Sequence, residues 1–303
     1  MATTAILLGT YNGARHLPAQ LDSIAAQTAD WQLIASDDGS TDATGTLLQG
    51  FAARYPERVT VRRGPGRGFA ANFLSMLPLV PAGMSAAFCD QDDVWYADKV
   101  SRADAALAAS AGPALYAART RLVDDALDPI GLSRGLSRPP GFGNALVQNI
   151  ASGNTMVLNP AGVAALTAAL ADGGAPPLHD WWAYQMITGI GGRVLFDPEP
   201  AMDYRQHGSN QIGAGRGPVA LARRGLRLLR GQSRGLMASQ AAALAASAAR
   251  LTPTHRAQLA ALQTGLAARS SLATARAMRR AGVYRQGFSG DAVFWTAVAL
   301  GRL

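Results

Sequence analysis

Three carboxylates within four residues, Asp90-Gln91-Asp92-Asp93, follow directly on a short apolar run ending at Cys89. Charges this close repel one another unless something offsets them. Hard divalent ions such as Mg²⁺ and Mn²⁺ take oxygen ligands and bridge carboxylates to phosphates. The spacing therefore suits a metal site on a phosphate-bearing substrate; a solvated acidic loop or a helix cap uses the same residues. Asp37-Asp38 follows another apolar run in the same way. A carboxylate there can accept from a base N–H or a ribose hydroxyl. Residues 37–42 also cap well, with Ser40 or Thr41 the candidate cap of the next helix. His179-Asp180-Trp181-Trp182 sets an ionisable pair beside two large aromatics, which can wall a sugar ring and leave Asp180 basic, or simply fill a core corner. His207 lies near Arg205 and Asn210, as a metal ligand, a phosphate contact or a surface histidine.

The elements that must position these groups alternate. Residues 5–8, 31–36, 59–62 and 85–89 read as short strands, and 16–27, about 41–54, and 69–77 as helices, with Leu17, Leu21 and Ile24 on one stripe. Strand–helix alternation at this spacing predicts a mostly parallel sheet covered on both faces. Ligands bind such sheets beyond the carboxyl ends of the strands. Tyr11-Asn12, Asp37-Asp38 and the 90–93 cluster all occupy that position. Residues 132–143 read as a loop, and a glycine-rich hinge at 213–218 precedes a helical tail. In the tail, Val219, Ala222, Leu226 and Leu229 recur at helical spacing beside Arg223, Arg227 and Arg230, and Leu259, Leu262 and Leu266 continue a stripe.

The 303 residues, 49% hydrophobic and 16% charged, suit one α/β domain with a helical appendage. The lone cysteine, Cys89, excludes an intramolecular disulfide and points to a reducing compartment. No signal peptide or membrane-spanning run is read in the sequence. The net charge of +8 is unevenly spread: residues 216–303 hold 14 Arg and one acid, Asp291, while the rest carries a net −5. That asymmetry predicts an anionic partner for the tail.

Five segments together resemble the family-2 glycosyltransferases, most closely bacterial rhamnosyltransferase-type members. They are Ala5-Ile-Leu-Leu-Gly-Thr-Tyr-Asn-Gly, Ser36-Asp-Asp-Gly-Ser-Thr-Asp42, Phe88-Cys-Asp-Gln-Asp-Asp-Val-Trp95, His179-Asp-Trp-Trp182 and Tyr204-Arg-Gln-His-Gly-Ser-Asn210. The resemblance spans residues 3–212 and stops before the tail. It implies an α/β GT-A fold, a mostly parallel central sheet flanked by helices, over residues 1–212, with a basic helical region at 213–303. It also implies an inverting transfer from a nucleoside-diphosphate sugar, dTDP-rhamnose being favoured, to a glycan or lipid-linked acceptor. Carried over by position, Thr10, Tyr11, Asn12, Asp37, Asp38, Asp90 and Gln91 contact the donor. Asp92, with Asp90 and His207, holds Mn²⁺ or Mg²⁺; Asp180 is the base; Trp181 and Trp182 face the acceptor. Gly9 stands where many members have proline, a change expected to alter loop stiffness.

Other readings are a family member using a UDP-hexose, a nucleotidyltransferase, and a non-catalytic binding protein. A nucleotidyltransferase needs a basic, glycine-rich phosphate loop, and residues 9–13 contain no basic residue. For the tail, Arg-faced amphipathic helices suit an anionic membrane surface, and the enzyme is expected at the inner face of the cytoplasmic membrane. Nucleic acid is not expected, because residues 219–283 hold no aromatic side chain for stacking. The plainer alternative is an Arg-bordered helical bundle.

Overall fold

A computed structural model describes residues 3–206, 226 and 230–303. Two compact units emerge. The first takes the described residues up to Gly135, Ala151–Leu170 and those from Gly192 to Gln206; the second takes Leu136–Ile150, Ala171–Gly191 and the described C-terminal residues.

The first unit is built on β1 (Thr4–Thr10), α1 (Leu17–Ala25), β2 (Trp31–Asp37), α2 (Thr44–Arg54), β3 (Val59–Arg63), α3 (Phe69–Met76) and β4 (Ser85–Cys89). There follow β5 (Val94–Trp95), α4 (Lys99–Leu107), β6 (Ala114–Val123), β7 (Pro129–Leu132), β8 (Val157–Leu158), α6 (Pro160–Leu170) and β9 (Arg193–Arg205). The helix omitted from that order, α5 (Phe142–Ala145), belongs to the second unit. One nine-stranded sheet runs β3-β2-β1-β4-β8-β6-β9-β5, with β7 on β6. The first four strands are parallel, as the alternation predicts. Beyond β4 the sheet is mixed: β8 is antiparallel to β4 and β6, β9 is parallel to β6, and β5 and β7 are antiparallel to β9 and β6. The two-residue strands β5 and β8 are too short to show a period, which is why the alternation does not reveal this half.

The parallel strands read as unbroken apolar runs because helices cover both their faces. Ile6 and Leu8 of β1 join a core with Leu17, Leu21 and Ile24 of α1, Leu48 and Phe51 of α2, and Val100 and Ala103 of α4. On the other face, Leu7 is in register with Phe88 of β4, and Phe88 meets Phe73 of α3 edge-on at 5.6 Å. Gly9 lies inside β1 rather than in the loop after it, and a Cβ there would stand 3.0 Å from the Phe73 ring. Its effect is on packing beneath α3 rather than on loop stiffness.

The second unit centres on α7 (His179–Gly189), all eleven residues of which are buried. With it in this unit are α5 and the C-terminal helices α8 (Gln232–Ala246), α9 (Pro253–Ala267), α10 (Ser271–Arg280) and α11 (Phe288–Ala299), of which α5 and α8 pack on α7. Leu259, Leu262 and Leu266 form the buried stripe of α9 that their spacing predicts. Thr252 caps α9 by accepting the His255 N–H, and its own N–H donates to the Gly189 carbonyl at the end of α7. Among the described residues no helix is long and apolar enough to cross a membrane.

Candidate active site

The carboxyl ends of β1, β2 and β4 lie side by side. Thr10 is in register with Asp37, and Leu8 with Cys89. The chain leaving these strands therefore puts Tyr11-Asn12-Gly13, the 38–42 loop and the 90–93 loop on one edge, where parallel sheets bind ligands. The three loops are tied together. Gln91 pairs with the Tyr11 backbone in both directions, accepting its N–H at 2.8 Å and donating to its carbonyl at 3.0 Å. The Asn12 N–H donates to Ser40 Oγ at 2.8 Å, and Asn12 Oδ1 accepts the Thr41 N–H at 2.8 Å. Asn12 holds φ of 46°, a left-handed value that asparagine tolerates. A Cβ on Gly13 would fall 2.1 Å from Gln91 Oε1, so glycine leaves room for that amide.

The paired aspartates shape this edge. Asp37 accepts from Thr10 Oγ1 at 3.0 Å and from the Ser40 N–H at 3.1 Å, which turns the Thr10 hydroxyl inward. Asp38 accepts the Gly66 and Gly68 N–H groups at 2.7 and 2.8 Å. Neither Ser40 nor Thr41 caps α2, since both are engaged with Asn12. The N-cap is Ala43, with no side-chain cap; Asp42, one residue earlier, accepts the Thr44 N–H at 3.0 Å and the Thr44 hydroxyl. The Thr44 hydroxyl, foremost, holds the Asp42 carboxyl below its usual range. Tyr11 stands in solvent on this edge, 57% exposed.

The acidic loop divides by burial. Asp93 is fully buried and accepts from Asn154 Nδ2 at 2.7 Å and from the Arg205 backbone N–H at 3.3 Å. Burial pushes its pKa well up, and the Asp92 and Asp90 charges add to the push. Asp90 and Asp92 remain half-buried. Beneath them Lys99 is buried too, its Nζ donating to the Asn154 carbonyl at 2.6 Å and lying 3.1 Å from the centre of the Trp95 ring. Burial pulls the Lys99 pKa down to about 7. Arg205 reaches in from β9, its Nε donating to the Asp92 carbonyl at 3.0 Å and its Nη1 to the Asp125 carbonyl. One carboxylate thus anchors the loop, and the other two are only half-buried. Cys89 is buried with its thiol pKa raised by desolvation, which makes it an inert core residue.

Asp90 and Asp92 offer the hard oxygen donors that Mg²⁺ or Mn²⁺ prefers. Among the described residues no three His, Cys, Asp or Glu side chains form a ready-made cage. Asp90 and Asp92 are the described residues that would hold such an ion. His207, the expected third ligand, lies outside the described residues, as does Asn210.

In the second unit, Asp180 occupies the first turn of α7 and is 9% exposed. Its Oδ1 accepts the Trp181 N–H at 2.7 Å and its Oδ2 accepts Asn149 Nδ2 at 2.9 Å. The two tryptophans differ from the expected acceptor wall. Trp181 and Trp182 are 5% and 0% exposed, and Trp181 Nε1 donates inward to the Ala145 carbonyl at 2.6 Å. A sugar platform needs an open ring face, and neither ring has one. They are core residues because α7 is enclosed on every side. His179 is buried beside them, and desolvation takes its pKa down to about 3, so its imidazole is neutral.

Lys99, Asn154 and Asn149 are absent from the sequence reading. Each makes a hydrogen bond to a residue far along the chain, and no local spacing marks such a contact.

Residues 5–152 match the model described as "Glycosyl transferase family 2". The dTDP-rhamnosyl transferase RfbG of Shigella flexneri is 28% identical over 222 residues, covering 68% of this chain and 74% of that relative. Among solved structures, S. aureus TarS 1-349 superposes with a TM-score of 0.56 at 13% identity, over 92% of this chain and 89% of that one. The mannosyltransferase PcManGT from Pyrobaculum calidifontis, solved with GDP-Man and Mn²⁺, gives 0.50 at 16% identity, over 98% and 85%.

Proposed function

We propose, for a chain whose residues 5–152 match the glycosyl transferase family 2 model, that it belongs to that family and transfers rhamnose from dTDP-rhamnose to a glycan or lipid-linked acceptor with inversion. The observation that carries this reading is the single sheet edge shared by exposed Tyr11, the Asp37-Asp38 loop and the half-buried Asp90 and Asp92. Support for the donor is the 28% identity to the Shigella flexneri dTDP-rhamnosyl transferase.

On this reading the nucleoside lies on the edge between Tyr11 and the 37–38 loop, which Thr10, Asn12 and Gln91 hold in shape. Asp92 and Asp90, with His207, would hold Mg²⁺ or Mn²⁺, whose charge offsets that developing on the departing diphosphate. The anomeric C–O bond to the diphosphate breaks as the acceptor oxygen attacks from the opposite face. Asp180 takes the proton from that oxygen, a role worth roughly 10²–10⁴-fold in rate. The C-terminal helices, rich in arginine, would keep the enzyme at the inner face of the cytoplasmic membrane, beside a lipid-linked acceptor.

Calorimetric titration of dTDP-rhamnose, UDP-GlcNAc and GDP-mannose, with Mn²⁺ and with excess chelator, tests the assignment. Saturable, metal-dependent binding of dTDP-rhamnose is expected. Asp92→Ala should lose that metal dependence, and transfer with it, while melting as the wild type does. Affinity for a UDP-hexose with none for dTDP-rhamnose would replace the donor. Full activity in chelator would remove the metal.

A further inference from the structure

The C-terminal helices are joined to the turn that carries Asp180 by polar contacts from two sides. The first contact is Gln240 of α8, which is fully buried. Its amide pairs with the backbone of Leu178, the residue preceding α7: Oε1 accepts the Leu178 N–H at 3.0 Å and Nε2 donates to the Leu178 carbonyl at 3.3 Å. The first turn of a helix lacks internal partners for its own N–H groups, so its placement depends on contacts of this kind. Asp180 is two residues further on.

The second contact runs through the segment that begins with α5. Asn149 holds Asp180 Oδ2 at 2.9 Å. That segment is in turn fixed to the tail loop after α10: Asn144 Nδ2 donates to the Tyr284 carbonyl at 3.0 Å, and the Gln286 N–H donates to Gln148 Oε1 at 2.7 Å. It is fixed to α7 as well, through Tyr184 Oη donating to Asn144 Oδ1 at 3.0 Å and Trp181 Nε1 to the Ala145 carbonyl. Buried amides placed this way are costly to leave unpaired, so the network specifies one arrangement.

We propose that Asn149 and Gln240 are positioning residues for Asp180, and that the C-terminal helices serve as the mount of the base. This rests on Asp180 being the base. A carboxylate abstracts a proton only within hydrogen-bond reach and in the correct orientation, and small misplacements cost large factors in rate. Asn149 fixes one oxygen of the carboxylate, and Gln240 fixes the backbone from which the carboxylate projects.

The experiment uses the full chain and follows nucleoside diphosphate release with water as acceptor, on whichever of dTDP-rhamnose, UDP-GlcNAc and GDP-mannose reacts fastest. In that reaction the anomeric C–O bond breaks, the water oxygen bonds to the carbon, and its proton passes to Asp180. Asn149→Ala and Gln240→Leu should each lower kcat tenfold or more with the donor KM within twofold of wild type. Placed in an Asp180→Asn background, neither should lower the residual rate further, because a residue that acts through Asp180 has nothing left to position. A kcat within twofold of wild type for Asn149→Ala overturns the inference, and so does an undiminished extra loss in the Asp180→Asn background. Asn149 is only half-buried, so its variant decides the matter even if Gln240→Leu does not fold. Wild-type turnover by Asp180→Asn itself would remove the base assignment and the inference with it.

Discussion

The three acidic side chains of the 90–93 loop have one chemistry and two fates. Asp93 is held from below by Asn154 and the Arg205 backbone, while Asp90 and Asp92 keep access to solvent. Burial also separates the two members of the 179–180 pair: His179 is a neutral imidazole, and Asp180 is a hydrogen-bonded carboxylate. The histidine has a consequence for acid stability. Its folded pKa of about 3 lies below the ordinary histidine value of 6.5, so between those values the unfolded chain binds a proton that the folded one does not. Stability is full above pH 6.5 and falls with pH from there towards 3, by about 1.4 kcal/mol per unit for this group. His179→Met removes that slope. Denaturant titrations followed by tryptophan fluorescence should show the variant gaining on the wild type by roughly that amount per unit between pH 6 and 4. Parallel pH profiles would mean that His179 is not the buried proton acceptor.

At the scale of elements, the loops after β1, β2 and β4 act as one body because each borrows hydrogen bonds from another. Gln91 completes the Tyr11 backbone, Ser40 and Thr41 bracket Asn12, and Thr44 Oγ1 accepts the Gly13 N–H at 2.8 Å. Gly13→Ala tests that coupling. The new methyl would displace only the end of the Gln91 side chain, so the cost in stability should stay near 1 kcal/mol, about one hydrogen bond. Tyr11 would lose its bracket, and donor affinity should fall about tenfold, roughly 1.4 kcal/mol. Gln91→Ala should do the same, and the two changes together should fall well short of additive. Fully additive losses in calorimetric donor affinity would mean that the glycine and the amide act separately.

At the scale of the whole molecule, the described arginines of the tail fall into two groups. Arg250 pairs with Asp172 at 2.6 Å, Arg256 Nε donates to the Ala248 carbonyl at 2.9 Å, and Arg285 Nη1 to the Val147 carbonyl at 2.7 Å. These are ties within the second unit. Arg269, Arg276, Arg279, Arg280 and Arg302 are exposed, and so are the apolar Leu272, Phe288 and Leu300. Arg223, Arg224 and Arg227, on the amphipathic segment expected from sequence, lie outside the described residues. Polybasic attraction contributes roughly 1 kcal/mol per arginine near an anionic surface, and salt screens it over about 10 Å at 0.1 M. Co-sedimentation with phosphatidylglycerol vesicles should therefore rise with anionic lipid and fall with salt. Reversing Arg276, Arg279, Arg280 and Arg302 together should release the protein while leaving nucleotide binding intact. A protein that ignores such vesicles at low salt has a tail whose role is confined to packing.

The sequence by itself determined the parallel half of the sheet and the edge on which Tyr11, Asp37-Asp38 and the 90–93 loop stand. Strands buried on both faces announce themselves as apolar runs, and parallel strands all deliver their carboxyl ends to one side. It also marked the buried stripe of α9, because an amphipathic helix writes its period locally. Only the tertiary structure decided which carboxylate of the acidic loop is an anchor, since Asn154 is 61 residues from Asp93. Only it decided that Trp181 and Trp182 are core, because a helix buried on all sides has no polar face to set a period. The same holds for Ser40 and Thr41, which bond Asn12 rather than cap α2, and for Gln240 beneath the turn of Asp180. In each case several residues nearby or far off have the right chemistry, and the folded chain selects the one whose partner lies within about 3 Å, the reach of a hydrogen bond.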